Sequence, residues 1–148
     1  MSKRKRATWE AGAGAAANAR RELPRLAADY FAGVRKTLAE NPTLSELHRV
    51  RLATKRLRYT LELFRPCYGP GFETRLAALR AIQQLLGEVN DCVSAGKLLP
   101  KSMRAHEYVQ RRGEAKAGEF RKHWAEVFDA PGQERRWTAF LRRKARKR

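Results

Sequence analysis

Apolar residues recur every three or four positions along most of the chain, which is the spacing of one face of an α-helix. The stripe that begins at Leu23 predicts a helix over about 24–40, with Pro24 tolerated in its first turn. A T-x-x-E capping box at Thr43 predicts that a second helix starts there and continues to about Pro66. The first half of the chain is therefore expected to be helical.

The same periodicity continues in the second half of the chain. Apolar positions from Phe72 onward predict a third helix that ends at Gly87. Asn90 or Asp91 is expected to cap a short fourth helix over about 91–99. Glycine favours helix ends, and Asn and Asp side chains bond to the free N–H groups of a first turn, which is the basis for this boundary.

Two further helices are predicted beyond Pro100. The first covers about 104–128 and the second carries a final apolar stripe. Together their residues expected to face inward are Ala117, Phe120, Trp124, Val127, Phe128, Trp137, Phe140 and Leu141. No segment alternates with a period of two over a useful length. The predicted fold class is therefore all-α, an antiparallel bundle of about five to six helices.

The segment 48–65, HRVRLATKRLRYTLELFR, has two opposite faces when it is drawn as a helix. One face is apolar and contains Val50, Ala53, Leu57, Leu61 and Phe64. The other face carries four basic side chains within about 80° of one another, and these are His48, Arg51, Lys55 and Arg58. Glu62 is the one acid of the segment and cannot balance its six cations. A row of cations one turn apart suits a polyanion, although a solvated charged face is its more ordinary role.

The chain has a net charge of +18, from 33 basic and 15 acidic residues. Ten of the basic residues lie at the two ends, which leaves 23 basic residues against 15 acidic ones elsewhere. We expect a disordered basic arm over 1–9, a helical domain over 10–141 and a basic tail over 142–148. Because the domain itself is basic, an anionic partner is indicated, whether nucleic acid, a membrane surface or a phosphate polymer.

The sequence contains no recognisable catalytic or metal-binding motif. Its three histidines are dispersed, and Cys67 and Cys92 lack the spacing of metal ligands. We therefore expect a non-enzymatic protein with no cofactor and no metal ion. No apolar run reaches the roughly 20 residues that cross a bilayer, and the N-terminus lacks the apolar segment of a signal peptide. A cytoplasmic protein without a membrane partner is the expectation.

Two motifs in the first hundred residues closely resemble the CHAD domain, a histidine-containing α-helical family. The first is His48-x-x-Arg51-x-x-x-Lys55-Arg56-Leu57-Arg58-Tyr59, and the second is Leu79-x-x-Ile82-Gln83-x-x-Leu86-Gly87-x-x-Asn90-Asp91. The resemblance is strong over about 48–99. It implies a helical fold that binds inorganic polyphosphate, with basic side chains lining a cleft or pore, and it implies targeting to polyphosphate granules.

Carried over by position, the resemblance implies phosphate contacts at His48, Arg51, Lys55 and Arg58. Arg49 and Arg56 are weaker candidates because the helical wheel turns them away, and Tyr59 is expected to border the site. The second motif is expected to be architectural, as the helix stop and helix cap described above.

A full CHAD domain resembles two related helical bundles that face each other, each with a basic helix. This chain has one copy of the basic motif, so its fold is expected to resemble one half of a CHAD domain. A two-sided cleft would then require a homodimer in which each subunit supplies one basic face. Inorganic polyphosphate is the expected partner, and nucleic acid bound by the tails and the basic helix is the alternative. A polyphosphate-processing enzyme is disfavoured because the chain lacks the carboxylates that hold catalytic magnesium.

Overall fold

Amphipathic segments fold into five α-helices in the computed structural model, which describes residues 7–143 and 145. These helices are α1 (Ala15–Ala39), α2 (His48–Leu63), α3 (Gly71–Leu98), α4 (Arg104–His123) and α5 (Gln133–Arg143). No strand occurs within the described residues, and the predicted all-α bundle is confirmed. Residues 1–6 of the predicted basic arm and residues 144 and 146–148 of the predicted tail lie outside the described part of the chain.

The apolar stripes of the five helices meet in one core. α2 packs against both α1 and α3, α3 packs against α4, and α1 packs against α5. Short connections make consecutive packed helices antiparallel neighbours. The largest fully buried side chains include Phe31, Leu61, Phe72, Leu79, Phe120 and Leu141. Helix α2 therefore has one face in the core and one edge against α3, which fixes where its cations lie.

A buried hydrogen-bond chain sets the rotation of α2 about its own axis. Thr54 is fully buried, and its hydroxyl donates to the backbone oxygen of Val50 at 2.8 Å. The phenol oxygen of Tyr30 on α1 lies 2.7 Å from Thr54 Oγ1, and because the threonine proton is already used, the phenol is the donor. Burial raises the pKa of Tyr30 well above its usual range, so this donor stays protonated. The cation-bearing face of α2 is thereby held away from the core.

Helix α3 is uninterrupted over Gly71–Leu98, so the predicted helix end at Gly87 is wrong. The buried stripe of this helix continues past the glycine, from Leu86 to Val89. A glycine in a helix interior costs about 0.5–1 kcal/mol relative to alanine, which is less than the burial of two large apolar side chains contributes. The two Asx residues of the second motif are therefore mid-helix residues rather than caps, and the separate fourth helix predicted over about 91–99 is wrong.

Helix α1 begins at Ala15, well before Pro24, so the placement of this proline in a first turn is wrong. Pro24 is buried in the helix interior, where its missing N–H removes one intrahelical hydrogen bond. The buried residues Ala16, Ala19 and Leu23 lead into it without a break. Packing of this stripe on the core stabilises the helix more than the lost hydrogen bond destabilises it.

The capping box before α2 forms as predicted, one turn ahead of the regular helix. The Thr43 backbone N–H donates to Glu46 Oε1 at 3.1 Å, and the Glu46 backbone N–H donates to Thr43 Oγ1 at 3.2 Å. The hydrogen bond from the Thr43 backbone also lowers the pKa of Glu46. Residues 44–47 form a turn, α2 begins at His48, and it ends at Leu63, slightly earlier than predicted.

A π-helical turn over Trp124–Phe128 continues α4, and the Asp129 N–H donates to the Trp124 backbone oxygen five residues earlier at 2.7 Å. The wider turn keeps both ends of the segment in the core but rotates Val127 outward, where it is 55% exposed. The prediction that Val127 faces inward is therefore wrong, because it assumed 3.6 residues per turn throughout. The other predicted inward residues beyond Pro100 are buried, with Phe140 partly buried.

Candidate functional site

A cleft of about 450 Å³ lies between α2 and α3. Its lining residues are Arg51 and Arg58 from α2, with Arg80, Gln83, Gln84, Gly87, Glu88 and Asp91 from α3. The six α3 residues follow the three- and four-residue spacing of one helix face, opposite the buried apolar stripe. The cleft is therefore formed where the basic face of α2 meets a polar face of α3.

Arg58 is a largely buried cation of the cleft and contacts both Glu62 and Tyr59. Its side chain is 18% exposed, and its Nη1 donates to Glu62 Oε1 at 3.2 Å. Its guanidinium lies over the ring of Tyr59, 4.7 Å from the ring centroid. Its Nε–H is buried and has no hydrogen-bond partner within the described residues. A buried donor without an acceptor costs about 1–3 kcal/mol, so a shift of the Arg58 side chain that brought this N–H to a ligand oxygen would relieve the penalty.

Arg80 brings a second guanidinium to the same carboxylate. Its Nη2 lies 3.6 Å from Glu62 Oε1, the oxygen that already accepts from Arg58. Two guanidinium groups from two helices are therefore held by one carboxylate oxygen at the edge of the cleft.

Acidic side chains share the cleft with the arginines. Glu88 and Asp91 belong to its lining, and Glu88 Oε2 lies 3.4 Å from the Nζ of Lys116 on α4. The hydrogen bond to Glu88 is the main cause that raises the pKa of Lys116. With Glu62, three carboxylates stand against the three arginines of the cleft. The positive charge of this site is therefore smaller than the sequence of α2 alone predicts, because α3 adds Glu88 and Asp91.

Two of the four principal predicted phosphate contacts line the cleft, and two do not. Arg51 and Arg58 line the cleft, whereas His48 and Lys55 do not. His48 is the exposed first residue of α2, and Lys55 is half-buried on the same helix. His48 and Lys55 form one pair spaced seven residues apart, Arg51 and Arg58 form another, and the second pair lies on the side of α2 that meets α3.

The weaker candidates lie outside the cleft lining. Arg49 is exposed and pairs with Glu46 at 3.0 Å. Arg56 is exposed, and its Nε donates to the backbone oxygen of Leu52 at 3.4 Å. Tyr59 is 51% exposed and borders the cleft through its ring contact with Arg58.

Helix α3 contributes residues that the sequence argument did not assign to the site, namely Arg80, Gln83, Gln84, Gly87, Glu88 and Asp91. Of these, Gly87 and Asp91 were expected to stop and cap helices, and both line the cleft instead. A Cβ atom added at Gly87 would meet nothing within 4 Å. The polar spacing along α3 from Arg80 to Asp91 was the available signal.

Gln83 adds a second unsatisfied group to the cleft. Its Oε1 is buried and accepts no hydrogen bond within the described residues. In residues 7–143 and 145, no three His, Cys, Asp or Glu side chains cluster so that they could hold a metal ion. The guanidinium groups of the cleft are the donors that suit an anion with several oxygen atoms, whereas the free Gln83 oxygen needs a hydrogen-bond donor.

Within the described part of the chain, no helix combines the length and the apolar character that crossing a membrane requires.

One known protein family matches this chain. The family model described as "CHAD domain" matches residues 2–100, which include both helices of the cleft. No curated protein and no solved structure gives a significant match. Since the match covers about two thirds of the chain, the protein belongs to the CHAD family.

Proposed function

We propose that this protein binds inorganic polyphosphate in the cleft between α2 and α3 and does so without catalysis. The observation that supports this most is the convergence of Arg51, Arg58 and Arg80 on one cleft, where the Nε–H of Arg58 has no acceptor within the described residues. Guanidinium groups fit phosphate oxygens in a forked geometry. Membership of the CHAD family supports the same ligand, because the family is associated with polyphosphate binding.

The shape of the cleft favours a single phosphate chain over duplex nucleic acid. Packed helices lie about 8–10 Å apart, so a groove between two neighbours fits a single phosphate strand better than the full width of a double helix. Arg51 and Arg58 are separated by about 10.5 Å along α2, at 1.5 Å per residue. A linear polymer can therefore meet both arginines and Arg80 together, and each further contact is made at high effective concentration.

The remaining predicted contacts form an outer part of this proposal. His48 and Lys55 lie on the side of α2 next to the cleft arginines, where a chain leaving the cleft would meet them. Tyr59 is a weaker contact at the rim, and Arg49 and Arg56 are weaker still because the helical wheel turns them away from the cleft arginines. Binding of this kind would hold the protein at polyphosphate granules in the cytoplasm.

Competition between polyphosphate and duplex DNA tests the ligand. We expect the protein to hold labelled long-chain polyphosphate at near-physiological salt, and duplex DNA at equal phosphate concentration to displace less than about a tenth of it. The basic ends bind any polyanion weakly and lose this binding as salt rises. A variant lacking residues 1–6 and 144–148 is the control and should keep its polyphosphate. Displacement by DNA at comparable concentration would favour nucleic acid instead.

We further propose that a second copy of the chain supplies the opposing basic face. The chain carries one such helix, and exposed apolar side chains on α2 beside the cleft give a second copy a surface to pack on: Leu52, Tyr59 and Leu63. A charge of +18 on each copy opposes association until an anion lies between them. Sedimentation velocity should show a monomer alone and a dimer with polyphosphate, and a strict monomer in both conditions would disprove the dimer.

A further inference from the structure

Glu62 lies where a bound phosphate oxygen would be expected. Its Oε1 is 3.2 Å from Arg58 Nη1 and 3.6 Å from Arg80 Nη2, and both arginines line the cleft. Glu62 itself is not part of the lining, so its carboxylate reaches the two guanidinium groups from the edge of the cleft. Carboxylate and phosphate oxygens accept from guanidinium in the same way.

We propose that Glu62 is a built-in competitor, which occupies the Arg58–Arg80 pair in the free protein and releases it when phosphate binds. This inference rests on the proposed polyphosphate function. It assigns to Glu62 a role in setting the affinity for phosphate, because an oxygen that takes the place of Oε1 between the two arginines must first displace the carboxylate.

The exposure of the three groups makes this displacement feasible. The side chains of Arg58, Glu62 and Arg80 are 18%, 29% and 47% exposed. Ion pairs with this much access to water contribute little, commonly below about 1 kcal/mol each. A long polyphosphate makes enough further contacts to replace both pairs. A single phosphate makes few contacts, so the same displacement removes most of its binding free energy.

The other acids of the cleft do not fit this role. Glu88 lies 3.4 Å from Lys116 of α4, and that lysine does not line the cleft. Asp91 is exposed three residues further along α3. Among the described residues, Glu62 is the acid that contacts two cleft arginines from two helices.

The variant Glu62→Gln tests the competitor role, since it keeps the size of the side chain and removes its charge. We expect its Kd for long-chain polyphosphate to fall about threefold to tenfold, and its binding of inorganic tripolyphosphate to strengthen by a similar factor. The melting temperature of the ligand-free variant should fall at the same time, because Arg58 and Arg80 then face each other without an anion between them. A residue that only positions the arginines would instead lose both stability and affinity.

Glu73→Gln is the matched control. Glu73 forms an ion pair with Arg65 at 2.8 Å, and neither residue lines the cleft. The variant Glu73→Gln changes the net charge by the same amount as Glu62→Gln. It should bind polyphosphate within about twofold of the wild-type protein. Unchanged or weaker binding by Glu62→Gln relative to this control overturns the competitor role alone. Failure of the wild-type protein to bind polyphosphate in the same titration overturns the proposed function and the competitor role together.

Discussion

Replacing Arg51, Arg58 and Arg80 together by glutamine is expected to weaken polyphosphate binding by about 100-fold or more. A hydrogen bond to a charged group contributes about 1.5–3 kcal/mol before screening by salt, and three such contacts exceed the 2.8 kcal/mol or so that corresponds to 100-fold. Arg51 and Arg58 come from α2 and Arg80 from α3, so the change removes cations from both walls of the cleft. Titration with polyphosphate of defined length measures the loss, and circular dichroism should show unchanged helical content.

A triple variant on α5 distinguishes the effect of the cleft arginines on binding from the effect of net charge. Arg135→Gln, Arg136→Gln and Arg142→Gln remove the same three charges from exposed positions on a helix that does not form the cleft. We expect this variant to lose less than about tenfold in affinity. Equal losses for the two triple variants would contradict the cleft as the main site. A larger loss on removing residues 1–6 and 144–148 would place binding in the chain ends.

Gly87→Leu is expected to stabilise the free protein by about 0.5–1 kcal/mol while weakening polyphosphate binding by about tenfold or more. A side chain at this position meets no atom within 4 Å of its Cβ in the fold, so it would project into the open cleft. Gly87 thus leaves space in the cleft that the packing of α3 does not require and that a bound ligand would use. Thermal melting measures the first effect and polyphosphate titration the second.

Gly33→Leu on α1 is the control for this prediction. Gly33 also lies inside a helix, is exposed, and has nothing within 4 Å of an added Cβ. It should give a similar gain in stability with unchanged binding. Equal affinities of the two leucine variants would show that Gly87 does not face the ligand.

Periodicity predicted the helical bundle and the two faces of α2, because both depend on the order of residues within one element. It did not predict the partner of that element. A wheel places Arg51 and Arg58 within about 20° of each other and His48 and Lys55 about 40–60° to one side of Arg51. On the wheel these four residues form one cationic face. Only the position of α3 shows that Arg51 and Arg58 line the cleft and that His48 and Lys55 do not.

Local rules failed where tertiary packing outweighed them. Gly87 has the composition of a helix stop, yet the apolar stripe through Leu86 and Val89 carries α3 across it. Val127 follows the expected spacing, yet one π-helical turn moves it to the surface. Each of these outcomes depends on contacts between segments distant in sequence, which the pattern along one helix does not contain.

Lys116 shows that residues beyond the segment matched by the family affect the charge of the cleft. It lies on α4, beyond residue 100, and its ammonium group neutralises Glu88 in the wall of the cleft. A chain ending at residue 100 would keep all three cleft arginines and yet present an uncompensated carboxylate to an incoming anion. Helix α4 thus helps set the sign of the potential inside the cleft, although it contributes no residue to the lining.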